Sequence, residues 1–209
     1  MDRETVLVLD FGGQYNQLIA RRVRELSVYS EMVPFDISYE EIQAFKPRGM
    51  ILTGGPASVH EEGAPQCDPR ILEMGIPVLG ICYGMQLIAQ YLGGEVGPSQ
   101  VREYGRTILH VRQDNLLFAD LEKDMQVWMS HGDAIHRLPE GFEVIADTDS
   151  CSFAAIYHPQ RQLYGVQFHP EVRHTLRGMD ILRNFLFKVC GCTGNWDIED
   201  FISETVADI

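Results

Sequence analysis

The sequence predicts an α/β fold: one open, mostly parallel sheet with flanking helices and a small antiparallel addition. Three observations predict it. Short, nearly continuous apolar runs recur at residues 5–10, 49–52 and 78–81, as expected of strands buried on both faces. Segments with apolar residues at helical spacing alternate with these runs. Each run stops in a glycine-rich or reactive turn, namely Asp10-Phe11-Gly12-Gly13, Thr53-Gly54-Gly55-Pro56 and Cys82-Tyr83. A parallel sheet gathers such turns at the C-terminal edge of its strands, where ligands bind.

In chain order, the first run is followed by a helix over 15–26, with Leu18, Ile19, Val23 and Leu26 on one side. A strand over 31–34 leads to Ser38, which can cap a helix over 39–45, with Glu41 completing a capping box. After the 49–52 strand come a loop, a short helix near 69–74, the 78–81 strand, and a helix over 85–92 stopped by Gly93-Gly94. Beyond Gly97 the pattern changes. Apolar runs at 107–111, 126–130, 142–146, 154–157 and 162–168 are joined by turn residues, which predicts the antiparallel part. A helix over 178–189 closes the expected domain, residues 1–190. The remainder, 191–209, reads as a linker and an acidic amphipathic helix carrying Trp196, Ile198, Phe201, Ile202 and Val206.

The 209 residues suffice for one such domain with a large core. The net charge of −13 argues against nonspecific contact with nucleic acid or an anionic membrane. No apolar run is long enough to span a bilayer, and the first residues are no signal peptide. Five cysteines without paired Cys-x-x-Cys spacing read as reduced thiols in a cytoplasmic protein. No metal or nucleotide site is visible: there is no ligand-spaced His/Cys cluster, dinucleotide fingerprint or Walker loop.

Cys82 stands at a strand-to-helix junction with a glycine two residues away on each side, the sulfur counterpart of the Gly-x-Ser-x-Gly nucleophile elbow. Either it is a nucleophile or it is a structural cysteine in a tight turn. A thiol nucleophile needs a base and an orienting acid. His169 and Glu171, two residues apart at a strand end with Pro170 between them, supply that pair. The N–H groups of Gly55 and Tyr83 can form an oxyanion hole. Gly54 sits beside it. The cluster Trp128-Met129-Ser130-His131-Gly132-Asp133 offers groups for the two charged ends of an amino acid, through Ser130, His131, Gly132 and Asp133. His131 is also the rival base, ranked below His169 because it lacks an acid two residues on.

Together these ordered motifs, from residue 5 to 189, resemble the class I (triad) glutamine amidotransferases. They are Gly54-Gly55-Pro56, Gly80-Ile81-Cys82-Tyr83-Gly84-Met85-Gln86 and Gly165-Val166-Gln167-Phe168-His169-Pro170-Glu171. The resemblance implies a flavodoxin-like fold and a Cys82–His169–Glu171 triad that hydrolyses glutamine through a γ-glutamyl thioester. Gly55 and Tyr83 would then hold the oxyanion, and Gln86 would help bind glutamine. Within the class, the segments 8–15, 20–25, 128–133 and 169–175 are most similar to the branch serving GMP synthesis, apart from Gly13, where serine is frequent, and Arg173, where threonine is frequent. In that branch the ammonia passes to an ATP-pyrophosphatase synthetase domain that aminates xanthosine monophosphate to GMP. ATP and Mg would belong to that domain, leaving the glutaminase part without a cofactor, and the full-length enzyme is expected to be a dimer. This chain lacks the Ser-Gly-Gly-Val-Asp-Ser-type pyrophosphate loop. The expectation is therefore a domain excised from a longer enzyme, with 191–209 leading toward the synthetase. The alternatives are the glutaminase component of another biosynthetic amidotransferase, or a module that stays latent until docked.

Overall fold

The structure, a computed structural model, describes residues 3–198. Among these, the strands β1 (Thr5–Asp10), β2 (Tyr29–Pro34), β3 (Gly49–Leu52), β4 (Val78–Ile81), β5 (Glu95–Val111), β6 (Asp124–Arg137), β7 (Glu143–Asp147), β8 (Ala155–His158) and β9 (Leu163–Val166) form one sheet in the order β2-β1-β3-β4-β9-β8-β7-β5-β6. The first five strands of that order run parallel, and the rest pair antiparallel. The α/β class and its antiparallel addition are thus as the apolar runs predict.

The near-continuous apolar character of β1 has a direct cause. Val6 and Val8 face a core built with α1 (Asn16–Glu25) and the last helix, α4 (Gly178–Arg183), which widens into a π-helical stretch over Asn184–Val189. Leu7 and Leu9 face the opposite core, with Ile42 of α2 (Tyr39–Phe45) and most of α3 (Tyr83–Tyr91). All four strand residues are fully buried, so neither face can be polar. The predicted capping box is present: Ser38 Oγ accepts from the Glu41 N–H at 3.2 Å, and Glu41 Oε2 accepts from the Ser38 N–H at 3.1 Å. Such a cap is worth about 1 kcal/mol.

Two expectations are corrected. The strands expected at 107–111 and 126–130 are parts of a 17-residue β5 and a 14-residue β6. The change of pattern beyond Gly97 does not end pairing: the hairpin absorbs Gly97, Pro98 and Gly105, with a register shift between Pro98 and Glu103. The whole cluster 128–133 lies within β6. The run expected over 162–168 stops pairing at Val166, so Gln167 and His169 lie beyond the sheet edge. Of the expected tail helix, Phe201, Ile202 and Val206 lie outside the described residues. Nearer the core, the buried carboxylate of Glu4 accepts from the Thr193 backbone N–H at 2.8 Å and tethers that segment to the start of β1.

Register places the site. Leu9 pairs with Leu52, Leu52 with Gly80, and Ile81 with Val166. The turns that follow β1, β3, β4 and β9 therefore emerge side by side at one edge. No helix among the described residues is long and apolar enough to cross a membrane.

Candidate active site

Cys82 joins β4 to α3 with φ 51° and ψ −104°, a strained conformation for a residue with a Cβ. Its N–H donates to Val166 O at 2.8 Å and its carbonyl accepts from the Gln86 N–H at 3.1 Å, so both sides of the turn are held. The flanking glycines are required by close approach. A Cβ on Gly80 would lie 2.6 Å from Gly84 C and Met85 N, and one on Gly84 would lie 2.7 Å from Leu52 C and Cβ.

His169 arrives on the turn after β9. Its N–H donates to Trp128 O at 3.0 Å, and its carbonyl accepts from Thr175 Oγ1 at 2.5 Å. The ring Nδ1 lies 2.8 Å from Glu171 Oε1, and the imidazole stands beside the Cys82 side chain across Gly54. With Nδ1 committed to a carboxylate, Nε2 is the nitrogen left for sulfur. His169 and Glu171 are both buried. Burial opposes the imidazolium, but the hydrogen bonds to Cys82 and Glu171 and their negative charges outweigh it and hold His169 well above the usual histidine range. Glu171 O accepts from Arg22 Nε at 3.2 Å, which ties the acid to α1. Glu171 Oε2 is buried and makes no hydrogen bond among the described residues, so the carboxylate's one partner is the imidazole.

A cavity of about 600 Å³ opens here. Every site residue expected from the sequence lines it: Cys82, His169 and Glu171; Gly54, Gly55 and Tyr83; Gln86; and Ser130, His131, Gly132 and Asp133. Tyr83 is the first residue of α3, so its N–H has no partner within the helix. A Cβ on Gly54 would sit 3.0 Å from His169 Cε1 and 3.7 Å from Cys82 Cβ, so this strand end packs directly against the Cys–His contact. Gly13, the departure from serine, also has a structural counterpart. A Cβ there would lie 2.6 Å from Gly54 O and 2.8 Å from Asn16 Oδ1, so the first turn packs closely against the Gly54 loop.

The rival base is committed elsewhere. His131 Nδ1 lies 2.8 Å from Asp133 O and Nε2 lies 2.9 Å from Glu103 Oε2. Gln86 Nε2 donates to Asp133 O at 2.9 Å and to Gln167 Oε1 at 3.2 Å. Both amide hydrogens are thereby used, and only the amide oxygen remains for a ligand. Ser130 approaches the sulfur through its backbone carbonyl, 3.6 Å from Cys82 Sγ.

Sequence reasoning missed four residues of the site. Gln167 is fully buried and its Nε2 lies 3.5 Å from Cys82 Sγ. A polar residue ending an apolar run was the available signal. Arg102 and Tyr104 line the cavity from β5, and nothing local marks them. Glu103, between them and turned inward, carried one faint sign: a charge at a strand position facing the core.

The other four cysteines contrast with Cys82. Burial pushes Cys67 and Cys192 up to about 11 and Cys151 up to about 12, and holds Cys190 well above the ordinary thiol range. None of them lines the cavity. Brief iodoacetamide treatment of the folded protein at pH 7.5 is expected to alkylate Cys82 first, at least about 10-fold faster than any other thiol. Peptide mapping of the carbamidomethyl adducts checks it, and equal labelling of Cys67 would contradict it.

A parallel sheet whose edge carries a cysteine elbow, a glycine-rich loop and a His–acid pair has the parts that thiol acyl transfer needs. The family description "Glutamine amidotransferase class-I" matches residues 7–189, and the chain belongs to that family. Among curated relatives, it is 66% identical over 209 residues to the GMP synthase [glutamine-hydrolyzing] of Syntrophomonas wolfei, covering 100% of this chain and 41% of that protein. It is 61% identical over 206 residues to the GMP synthase [glutamine-hydrolyzing] of Heliobacterium modesticaldum, covering 99% and 40%. The chain thus spans about two-fifths of the length of these relatives. Among solved structures, a protein from Thermoplasma acidophilum described as one subunit of a GMP synthase superposes with a TM-score of 0.83 at 35% identity, covering 91% of this chain and 96% of that one. A glutamine amidotransferase from Thermotoga maritima shares the fold, with a TM-score of 0.74 at 20% identity, covering 92% and 100%.

Proposed function

We propose that this chain is the glutaminase part of a GMP synthase, releasing ammonia from glutamine for the amination of xanthosine monophosphate by a synthetase part. The observation that carries the chemistry is the grouping of Cys82, His169 and Glu171 in the wall of the cavity. The support for the destination of the ammonia is the name shared by the relatives and the two-fifths of their length that this chain spans.

In this reading Cys82 Sγ attacks the side-chain carbonyl carbon of glutamine. The oxyanion forms opposite the N–H groups of Gly55 and Tyr83, each such donor being worth about 100- to 1,000-fold in rate. His169, held well above the usual histidine range and paired with Glu171, gives a proton to the leaving nitrogen, and ammonia departs. The thioester carbon is then attacked by water, whose proton returns to His169. The second tetrahedral intermediate collapses to glutamate and the free thiolate. Glu171 holds the imidazole with Nε2 toward sulfur throughout and stabilises its cation. ATP and Mg are assigned to the synthetase part.

The test is exposure to a glutamine-mimicking diazo-ketone followed by peptide mapping, alone and with the synthetase part, ATP, Mg and xanthosine monophosphate present. A single adduct on Cys82, blocked by excess glutamine, and glutamine-dependent GMP formation in the complete mixture are expected. An adduct elsewhere, or none in the complete mixture, refutes the assignment of the nucleophile. Glutamine hydrolysis without GMP formation refutes the assignment of the acceptor.

A further inference from the structure

Glu103 and His131 face each other across the β5–β6 hairpin, at the first paired position after the register shift. Both side chains are buried, with 9% and 2% exposed. The hydrogen bonds around them settle their charge. His131 Nδ1 is 2.8 Å from Asp133 O, and a carbonyl only accepts, so Nδ1 carries a proton. Nε2 is 2.9 Å from Glu103 Oε2, so a second proton lies between them. Either the histidine is an imidazolium or Glu103 is a neutral acid. Glu103 Oε1 also receives the Ser150 hydroxyl, and the Thr148 hydroxyl at 3.4 Å. Three donors converging on one carboxylate favour its ionised form. Burial pushes the Glu103 carboxyl up, but the bonds from His131 and Ser150 outweigh it and hold it below the usual carboxylate range. Cys151, whose Sγ lies within 4.8 Å of both groups, has a thiol pushed up to about 12 and is neutral, and Arg102, Tyr104 and Asp133 are the titratable residues next along the two strands.

The pair reaches the reacting sulfur by contact. Asp133 O, fixed by His131, also accepts from Gln86 Nε2; Gln86 bonds Gln167, and Gln167 Nε2 meets Cys82 Sγ. The strand segment 130–133 is one wall of the cavity. We propose that Glu103 is a positioning residue for glutamine binding: it holds His131 as an imidazolium whose Nδ1–H fixes the Asp133 carbonyl and, with it, that wall. This rests on the glutaminase reading above. Glu103, His131 and Cys151 have the donor chemistry of a zinc site. They do not fit an ion, because the His–Glu gap is closed by a hydrogen bond and the second carboxylate oxygen is taken by two hydroxyls.

The test uses Glu103→Gln in the full enzyme. In E103Q one ring proton must serve both sides: the amide can donate to Nε2 while the proton sits on Nδ1, or turn over and accept from Nε2–H, which leaves Nδ1 bare against the Asp133 carbonyl. The KM for glutamine of E103Q is expected to rise about 3-fold or more at pH 8, with kcat changing less than KM. Independently of turnover, the imidazole nitrogen-15 shifts of His131 are expected to report both nitrogens protonated at pH 8 in the wild type and one in E103Q. Singly protonated His131 in the wild type, an unchanged KM in E103Q, or one equivalent of bound zinc in the purified enzyme overturns the inference. Absence of glutamine hydrolysis in the wild type refutes the glutaminase reading instead, and the nitrogen-15 shifts still decide the charge of the pair.

Discussion

Cys82→Ala is expected to lower kcat/KM for glutamine hydrolysis by on the order of 10⁴-fold or more, since removing a nucleophile leaves only binding and oxyanion stabilisation. The fold should survive. Alanine keeps the Cβ, and the backbone bonds from Cys82 N–H to Val166 O and from Gln86 N–H to Cys82 O do not involve sulfur. Cys82→Gly sharpens the prediction, because it is equally inactive but relieves the conformation at φ 51° and ψ −104°. Strain of this kind costs about 1–3 kcal/mol. Part of the relief is offset by the greater backbone entropy that glycine loses on folding. The glycine variant should therefore unfold about 2–4 °C above the alanine variant. Steady-state ammonia release and thermal unfolding by circular dichroism check both statements. A glycine variant less stable than alanine would mean that the turn stores no strain, and substantial residual hydrolysis in either would mean that another group attacks.

The largest effect on stability is expected at Gly84. An added Cβ would lie 2.7 Å from Leu52 C and Cβ and nearer still to the Leu52 carbonyl oxygen, all at the end of β3. The obstacle includes backbone in the middle of a parallel sheet, so no side-chain rotation relieves it. Gly84→Ala must lift α3 from β3, lengthening the bond from Gly84 N–H to Thr53 O, now 3.2 Å. Overpacking against rigid neighbours costs about 1–3 kcal/mol, occasionally more, which corresponds to a fall of roughly 4–10 °C in Tm for a domain of this size. Activity should fall with it, because Cys82 and the Tyr83 N–H ride on the same turn. A Tm unchanged within 1 °C would show that the elbow is looser than its contacts indicate.

The contrast between what the sequence revealed and what it hid follows the range of the interactions involved. The alternation of strands and helices was legible because burial on both faces leaves a one-dimensional trace: β1, β3 and β4 had to be continuous apolar runs. The elbow was legible because its constraint is local. Glycines must stand two residues either side of Cys82 for α3 to turn back against β3 and β4. His169 and Glu171 were legible as a pair because they are two residues apart, even though they meet through a turn after β9 and not through the extended strand that suggested them. The long hairpin was not legible, since Gly97, Pro98 and Gly105 carry the marks of strand ends and only pairing with β6 overrides them.

By itself, then, the sequence determined the fold class and the edge at which the site lies, and singled out the candidate nucleophile and two candidate bases. Only the tertiary structure decided which histidine faces the sulfur. His131 and His169 both lie in polar clusters, and the choice rests on Glu103, 28 residues from His131, which takes that ring out of competition. The same holds for Gln167 against Cys82, 85 residues apart, and for Arg22 against the Glu171 carbonyl, 149 residues apart. Hydrogen bonds between groups so far separated depend on strand order and register. These are properties of the whole packed sheet, and neither periodicity nor spacing along the chain records them.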